Sequence, residues 1–308
     1  MGEFDDVEEL SFQEAVEVFS LYCKSKGLAP RTLQTYSYAL EGLRDFLTQF
    51  SNECGIPTPN QLRAYIVHML NRGLSRQTVR VRMRSIRCFC NFLEREGIVE
   101  VSPMGFVEIP RVPEEYPTVL TEDQVKRLLK ECKRNTWFGA RNYAILLTFL
   151  DTGMRIGELV QLDLEDVSLQ NLVIRVRRGK GSKERYVFMG RALFRAIRKW
   201  LDVRGFSTPE RAFFVTRQGN RMNIRGIERV VSEIARRTRL NEVRVTPHIL
   251  RHTFATHYIK NGGDPFSLQR LLGHSDIKTT MIYVNLAGVG LREAHAKASP
   301  VDRILANE

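Results

Sequence analysis

The sequence predicts a mainly helical protein of two domains, the second carrying a small antiparallel β-sheet. Three observations predict it. Apolar residues recur at helical spacing behind recognisable caps through the first hundred residues. Four of the eleven prolines, Pro103, Pro110, Pro113 and Pro117, fall within 101–117 and interrupt that pattern. Beyond them, two short β-rich runs flank a Gly-Lys-Gly turn among further helical segments. The expected division is a helical domain over 11–100, a linker over 101–117, a second domain over 118–295 and a tail over 296–308.

In the first domain, Ser11 and Glu14 form a capping box, and Gly27 ends that helix. The next helix follows Pro30; Leu33, Tyr36, Leu40, Leu43, Leu47 and Phe50 make one apolar stripe. Thr58, Pro59 and Gln61 supply a cap, a first-position proline and a box partner for a third helix, which Gly73 closes. The fourth runs from about Ser75 to Glu96, burying Val79, Met83, Ile86, Cys90 and Leu93. A second stripe on it, Arg76, Arg80, Arg84 and Arg87, has no acid within its span. Like charges one turn apart repel, so such a face suits a polyanion such as a DNA backbone.

In the second domain, Thr121 and Gln124 form another box. A helix over Arg141–Asp151 stops at Thr152-Gly153, and Leu172–Val176 and Arg185–Phe188 read as strands. Ala192–Val203, Asn223–Arg237, Pro247–Asn261 and Pro265–Leu272 read as helices.

The bulk properties narrow the function classes. Lys and Arg number 47 against 35 Asp and Glu, a net charge of +12, which favours nucleic acid as partner. The five cysteines are odd in number and irregularly spaced, as free thiols of a reducing compartment would be. The acidic N-terminus lacks the layout of a signal peptide, and no apolar run is long enough to span a membrane, so a cytoplasmic location is expected.

Four clusters in the second domain carry chemistry. Thr152-Gly153-Met154-Arg155-Ile156-Gly157-Glu158-Leu159 delivers Arg155 from a glycine turn, with Glu158 placed to orient its guanidinium; an arginine fork matches phosphate. Gly179-Lys180-Gly181-Ser182-Lys183 puts two lysines on a hairpin, either able to swing towards a ligand. Pro247-His248-Ile249-Leu250-Arg251-His252 places an imidazole and a fixed cation on one helix face. Leu271-Leu272-Gly273-His274-Ser275 precedes Tyr283, nine residues after His274. The histidines lack neighbouring carboxylate or cysteine ligands and no His-Glu-x-x-His run occurs, so no metal is expected.

Taken in order, Arg155, Lys180, His248-x-x-Arg251, His274 and Tyr283 resemble the tyrosine recombinase, or phage integrase, family, including its Xer members. The strings Thr-Gly-x-Arg-x-x-Glu-Leu, Pro-His-x-Leu-Arg-His-x-Phe-Ala-Thr-His and Leu-Gly-His-Ser match nearly letter by letter, and the resemblance covers about residues 11–295. It implies a clamp of a helical SAM-like core-binding domain and an α+β catalytic domain around double-stranded DNA. It implies Tyr283 as nucleophile, giving a 3′-phosphotyrosyl intermediate. Arg155 and Arg251 would clamp the phosphate, with His274 adding a hydrogen bond. Lys180, chosen over Lys183 by its spacing from Arg155, would be the general acid, and His248 would assist the proton of Tyr283. The cationic setting should favour ionised tyrosine. No cofactor is implied.

The reaction implied is site-specific recombination through a Holliday junction, by a homotetramer on paired sites. Whether it serves integration and excision or chromosome dimer resolution stays open, as does an accessory protein or partner recombinase. Arg76, Arg80, Arg84, Arg87, Arg177, Arg178, Lys183, Arg221 and Arg225 are the expected DNA contacts. No further domain is expected before residue 11. The rival readings are a type IB topoisomerase, which shares the tyrosine chemistry, and a DNA-binding protein without catalysis.

Overall fold

A computed structural model describes residues 10–49, 55–113, 116–177, 184–205, 211–240, 242–288 and 299 of the 308. The chain divides into two compact units, Met1–Glu114 and Glu115–Glu308.

The first unit is a bundle of four helices: α1 (Phe12–Ser25), α2 (Pro30–Leu47), α3 (Pro59–Asn71) and α4 (Arg76–Arg95). The capping boxes at Ser11–Glu14 and Thr58–Gln61 form as expected, and Ser75 caps α4. The buried stripe of α4, including Phe89, packs on the other helices, with Phe12 and Phe19 edge-on to the Phe89 ring. The proline-rich segment does not leave this core at once. Pro103–Phe106 forms a 3₁₀ turn that buries Met104 and Val107 in it. Arg63 and Arg87 hold the turn by donating to the Phe106 and Val107 carbonyls at 2.7 and 3.1 Å.

The second unit comprises α5 (Glu122–Lys130), α6 (Trp137–Thr152), α7 (Ile156–Gln161), strands β1 (Val167–Ser168), β2 (Val173–Val176) and β3 (Arg185–Phe188), then α8 (Arg191–Arg204), α9 (Ile224–Arg237), α10 (Pro247–Lys260), α11 (Pro265–Leu272) and α12 (Lys278–Ala287). The sheet is antiparallel in the order β1-β2-β3, with Ile174 opposite Val187, both facing the core. At two residues, β1 is too short to leave an alternation in the sequence. The α12 helix is also unheralded, because Ile277 stands at its N-cap and offers no side-chain cap.

The main core gathers around Trp200 of α8 and Phe149 of α6, and the Trp200 indole donates to the Phe213 carbonyl at 3.0 Å. Truncating such an indole costs on the order of 3–5 kcal/mol. A smaller cluster joins α10, α11 and α12 through Phe254, Ile259, Leu268, Leu272 and Tyr283, and it fixes the helices that carry the candidate site. Cys23, Cys88, Cys90 and Cys132 are free thiols. Among the described residues no helix is long and apolar enough to cross a membrane.

Candidate active site

The site is assembled around the C-terminal end of α11. That helix ends at Gly273 in the left-handed conformation, φ 64°. Its last carbonyls have no partner within the helix and carry the negative end of its dipole. Three arginines from three elements serve three consecutive carbonyls. Arg185 of β3 donates Nε–H to Leu271 at 2.7 Å, Arg251 of α10 donates to Leu272 at 2.9 Å, and Arg155, ahead of α7, donates to Gly273 at 3.2 Å. Three cations that would repel one another in isolation are thereby held together.

Arg155 arrives there because α6 ends at Gly153, φ 60°, and turns the chain sharply. A Cβ on Gly153 would lie 2.3 Å from the Phe254 ring and 2.7 Å from Leu272, so glycine is required by both conformation and space. The carbonyl of Gly153 accepts a hydrogen bond from Arg251, which links the two arginines through backbone.

Glu158 is the counter-charge. Its carboxylate, on a side chain 4% exposed, accepts from the Arg155 guanidinium at 3.0 Å, from the Arg155 backbone N–H at 2.7 Å, and from both terminal nitrogens of Arg185 at 2.8 and 2.7 Å. Burial pushes its pKa up, but the hydrogen bonds and charge of Arg185, then those of Arg155, outweigh this and hold it below the ordinary value.

Arg251 is 5% exposed, and burial followed by the Arg155 charge lowers its pKa to about 10. It donates at 2.9 Å to Nε2 of His274, whose Nδ1 lies 2.9 Å from the Thr280 hydroxyl. A guanidinium only donates, so Nε2 is the accepting nitrogen and the ring proton sits on Nδ1. Burial, then Arg251, Arg155 and Arg185, lower the His274 pKa to about 4, so the ring is neutral near pH 7.

Tyr283, on α12, is 4% exposed and lies between two imidazoles, with the His274 ring nearly parallel to its own. Its hydroxyl is 2.8 Å from Nδ1 of His252. His248, to which the family resemblance gives the tyrosine proton, is exposed. His252 adjoins Arg251 in the same string, and that adjacency is the signal in the sequence that points to it. Burial, then the charges of His248 and Arg251, lower the His252 pKa. The Tyr283 phenol was expected to ionise more easily among the arginines. Its pKa is instead raised, because burial exceeds the pull of Arg251 and Arg155.

The remaining candidates divide. Lys180, Lys183 and Arg178 lie outside the described residues. Arg177 is ion-paired with Asp163, Glu165 and Asp166. Arg221 donates to Asp163 at 2.6 Å and to the Val160 and Leu162 carbonyls. Arg225 is exposed on α9. In the first unit, Arg76 and Arg84 are exposed, and Arg80 and Arg87 are half-buried. No group of three or more potential metal ligands occurs among the described residues.

Buried guanidinium donors, neutral imidazoles and a phenol suit an anionic phosphoryl centre. Known proteins point the same way. Residues 118–288 match the phage integrase family, and residues 17–97 match its N-terminal SAM-like domain. A tyrosine recombinase XerC of Pelotomaculum thermopropionicum is 32% identical over 300 residues, spanning 92% of this chain and 97% of that protein. Among solved structures, a Tn1549 transposon integrase in complex with a circular intermediate DNA superposes with a TM-score of 0.75 at 21% identity, covering 93% of this chain and 99% of that one. A lambda integrase tetramer bound to a Holliday junction gives 0.72 at 16% identity, covering 89% and 80%.

Proposed function

The chain belongs to the phage integrase family, and on that premise we propose how its own residues carry out the reaction. It is a tyrosine-type site-specific DNA recombinase, an enzyme that breaks and rejoins DNA strands. The observation that carries the assignment of residues is the convergence of Arg155, Arg251, His274 and Tyr283 on the end of α11.

The Tyr283 oxygen attacks the scissile phosphorus. The bond from phosphorus to the 5′-oxygen breaks, leaving a 3′-phosphotyrosyl enzyme and a 5′-hydroxyl. The phenolic proton passes to Nδ1 of His252, already at hydrogen-bond distance, with His248 alongside. Lys180 protonates the departing 5′-oxygen. Arg155 and Arg251 stabilise the charge on the non-bridging oxygens, so magnesium is not needed and cleavage persists in EDTA. A bound phosphate favours protonation of His274, whose Nε2 then donates to it. With Tyr283 this deeply buried, its oxygen reaches phosphate only after α12 or the side chain shifts.

Rejoining is the reverse attack by a 5′-hydroxyl, and two rounds of exchange pass through a Holliday junction. The assembly is a homotetramer on paired double-stranded sites, built through the segment after Tyr283, most of which lies outside the described residues. The enzyme works in the cytoplasm, where its DNA is. The test is Tyr283→Phe on nicked cognate DNA, resolved on a denaturing gel. Binding persists and the covalent adduct disappears; an adduct that remained would place the nucleophile elsewhere.

A further inference from the structure

Arg185 sits within the most basic stretch of the sequence, where it reads as one more phosphate contact. Its geometry differs from that. The side chain is 12% exposed, and Nε, Nη1 and Nη2 each donate to protein: one to the Leu271 carbonyl and two to the carboxylate of Glu158. We propose that Arg185 is a positioning residue, setting both the Arg155 guanidinium and the turn that leads into His274. This rests on the recombinase reading of Arg155.

The chain of contacts is short. Glu158 offers two oxygens and receives four N–H groups, two from Arg185 and two from Arg155. A buried carboxylate needs full compensation, and loss of one partner leaves a charge that draws in whatever cation remains. Without Arg185 that cation is Arg155, which turns towards Glu158 and away from the position where it meets phosphate. The Nε arm acts on the other side. The Leu271 carbonyl is two residues before Gly273, and a Cβ on Gly273 would lie 3.2–3.3 Å from the Arg185 guanidinium. The turn and the arginine are therefore fitted to each other, and His274 follows directly. Arg185 is also the first residue of β3, two positions after Lys183 in the sequence. One side chain thus ties β3, the clamp arginine and the histidine turn together. An ammonium cannot do the same, since lysine lacks the planar fork that spans two oxygens while a third donor points elsewhere.

The test uses the full chain and a cognate suicide substrate whose scissile phosphate is either ordinary or a methylphosphonate. Replacing a non-bridging oxygen by methyl removes the charge that Arg155 stabilises, so a defect in Arg155 or its placement matters less on that substrate. Single-turnover cleavage and DNA affinity are measured for Arg155→Ala, Arg185→Gln and Arg185→Lys. On ordinary phosphate, Arg185→Gln slows cleavage by about 10–100-fold, the scale of a small misplacement of a catalytic group, with affinity within about twofold. Arg185→Lys recovers little of this. On methylphosphonate the deficits of Arg185→Gln and Arg155→Ala both shrink. If Arg155→Ala improves and neither Arg185 variant does, the Arg185 inference fails alone. Should Arg155→Ala itself not improve, the clamp reading fails, and the inference with it. Intact cleavage with weakened, less salt-dependent binding would make Arg185 a phosphate contact after all. If Arg185→Gln does not fold, Arg185→Lys, which keeps a cation beside Glu158, carries the same comparison.

Discussion

Nδ1 of His252 lies 2.8 Å from the hydroxyl of Tyr283, so the imidazole that meets this phenol belongs to the residue after Arg251, not to the one three before it. A base must be unprotonated to act, and burial lowers the pKa of His252 from its ordinary 6.5. The cleavage rate should therefore rise with pH below neutrality and level off by about pH 7. His252→Asn should lower the neutral-pH rate about 10²–10³-fold, the scale of a lost general base. It should also replace the plateau with a rate still climbing at alkaline pH, as the phenol ionises unaided. Single-turnover cleavage between pH 5 and 9 checks this; a variant profile parallel to the parent's would sink the assignment.

His274 should make folding pH-dependent. Its pKa falls from 6.5 to about 4 in the folded chain. Between these values the unfolded chain holds a proton that the folded chain lacks, so stability falls as pH drops through that window, and the contribution stops growing below about 4. Urea midpoints at pH 7 and pH 4.5 should differ less for His274→Gln than for the parent. An equal drop in both would show that other groups account for the acid sensitivity.

Lys180→Ala should abolish cleavage of ordinary DNA far more severely than Lys183→Ala. A 5′-bridging phosphorothiolate leaves readily without a proton, so it should restore Lys180→Ala and leave Arg155→Ala impaired. Equal restoration of the two would mean that the general acid has been misassigned.

Two arginines expected at DNA should separate on different axes. Arg84 is exposed on α4, and Arg84→Ala should weaken binding to all sequences, reduce the salt slope by about 1 and leave Tm unchanged. Arg177 pairs with Asp166, whose side chain is 1% exposed and whose other cation is Arg175. Arg177→Ala should lower Tm by several degrees. Thermal melts and salt titrations of both variants test this; equal stability for the two would remove the structural role of Arg177.

The contrast shows where sequence reading stops. Capping boxes, glycine stops and the apolar stripe of α4 act within a turn or two of the chain, so those helices were legible. Arg155, Arg251 and His274 were legible as letters of strings that resemble a family. Their contacts were not. Arg185 meets Glu158 across 27 positions, His252 meets Tyr283 across 31, and Arg155 meets the Gly273 carbonyl across 118. Nor was the ion pairing of Arg177 and Arg221 legible from local charge density. The acid they share, Asp163, lies 14 positions from one and 58 from the other, beyond any helical or strand repeat.

The tight seat of Gly153 bears on how this chain can drift. Every missense change of a glycine codon adds a Cβ, and here that carbon would meet the Phe254 ring and Leu272 well inside contact distance, on a backbone at φ 60°. No small first step is available, because even alanine carries the offending atom. Exposed arginines of α4 such as Arg84 can be exchanged one at a time without disturbing the core. At Gly153 a single heritable change moves the floor under Arg155 and Arg251 together, so new specificities must evolve around that position rather than through it.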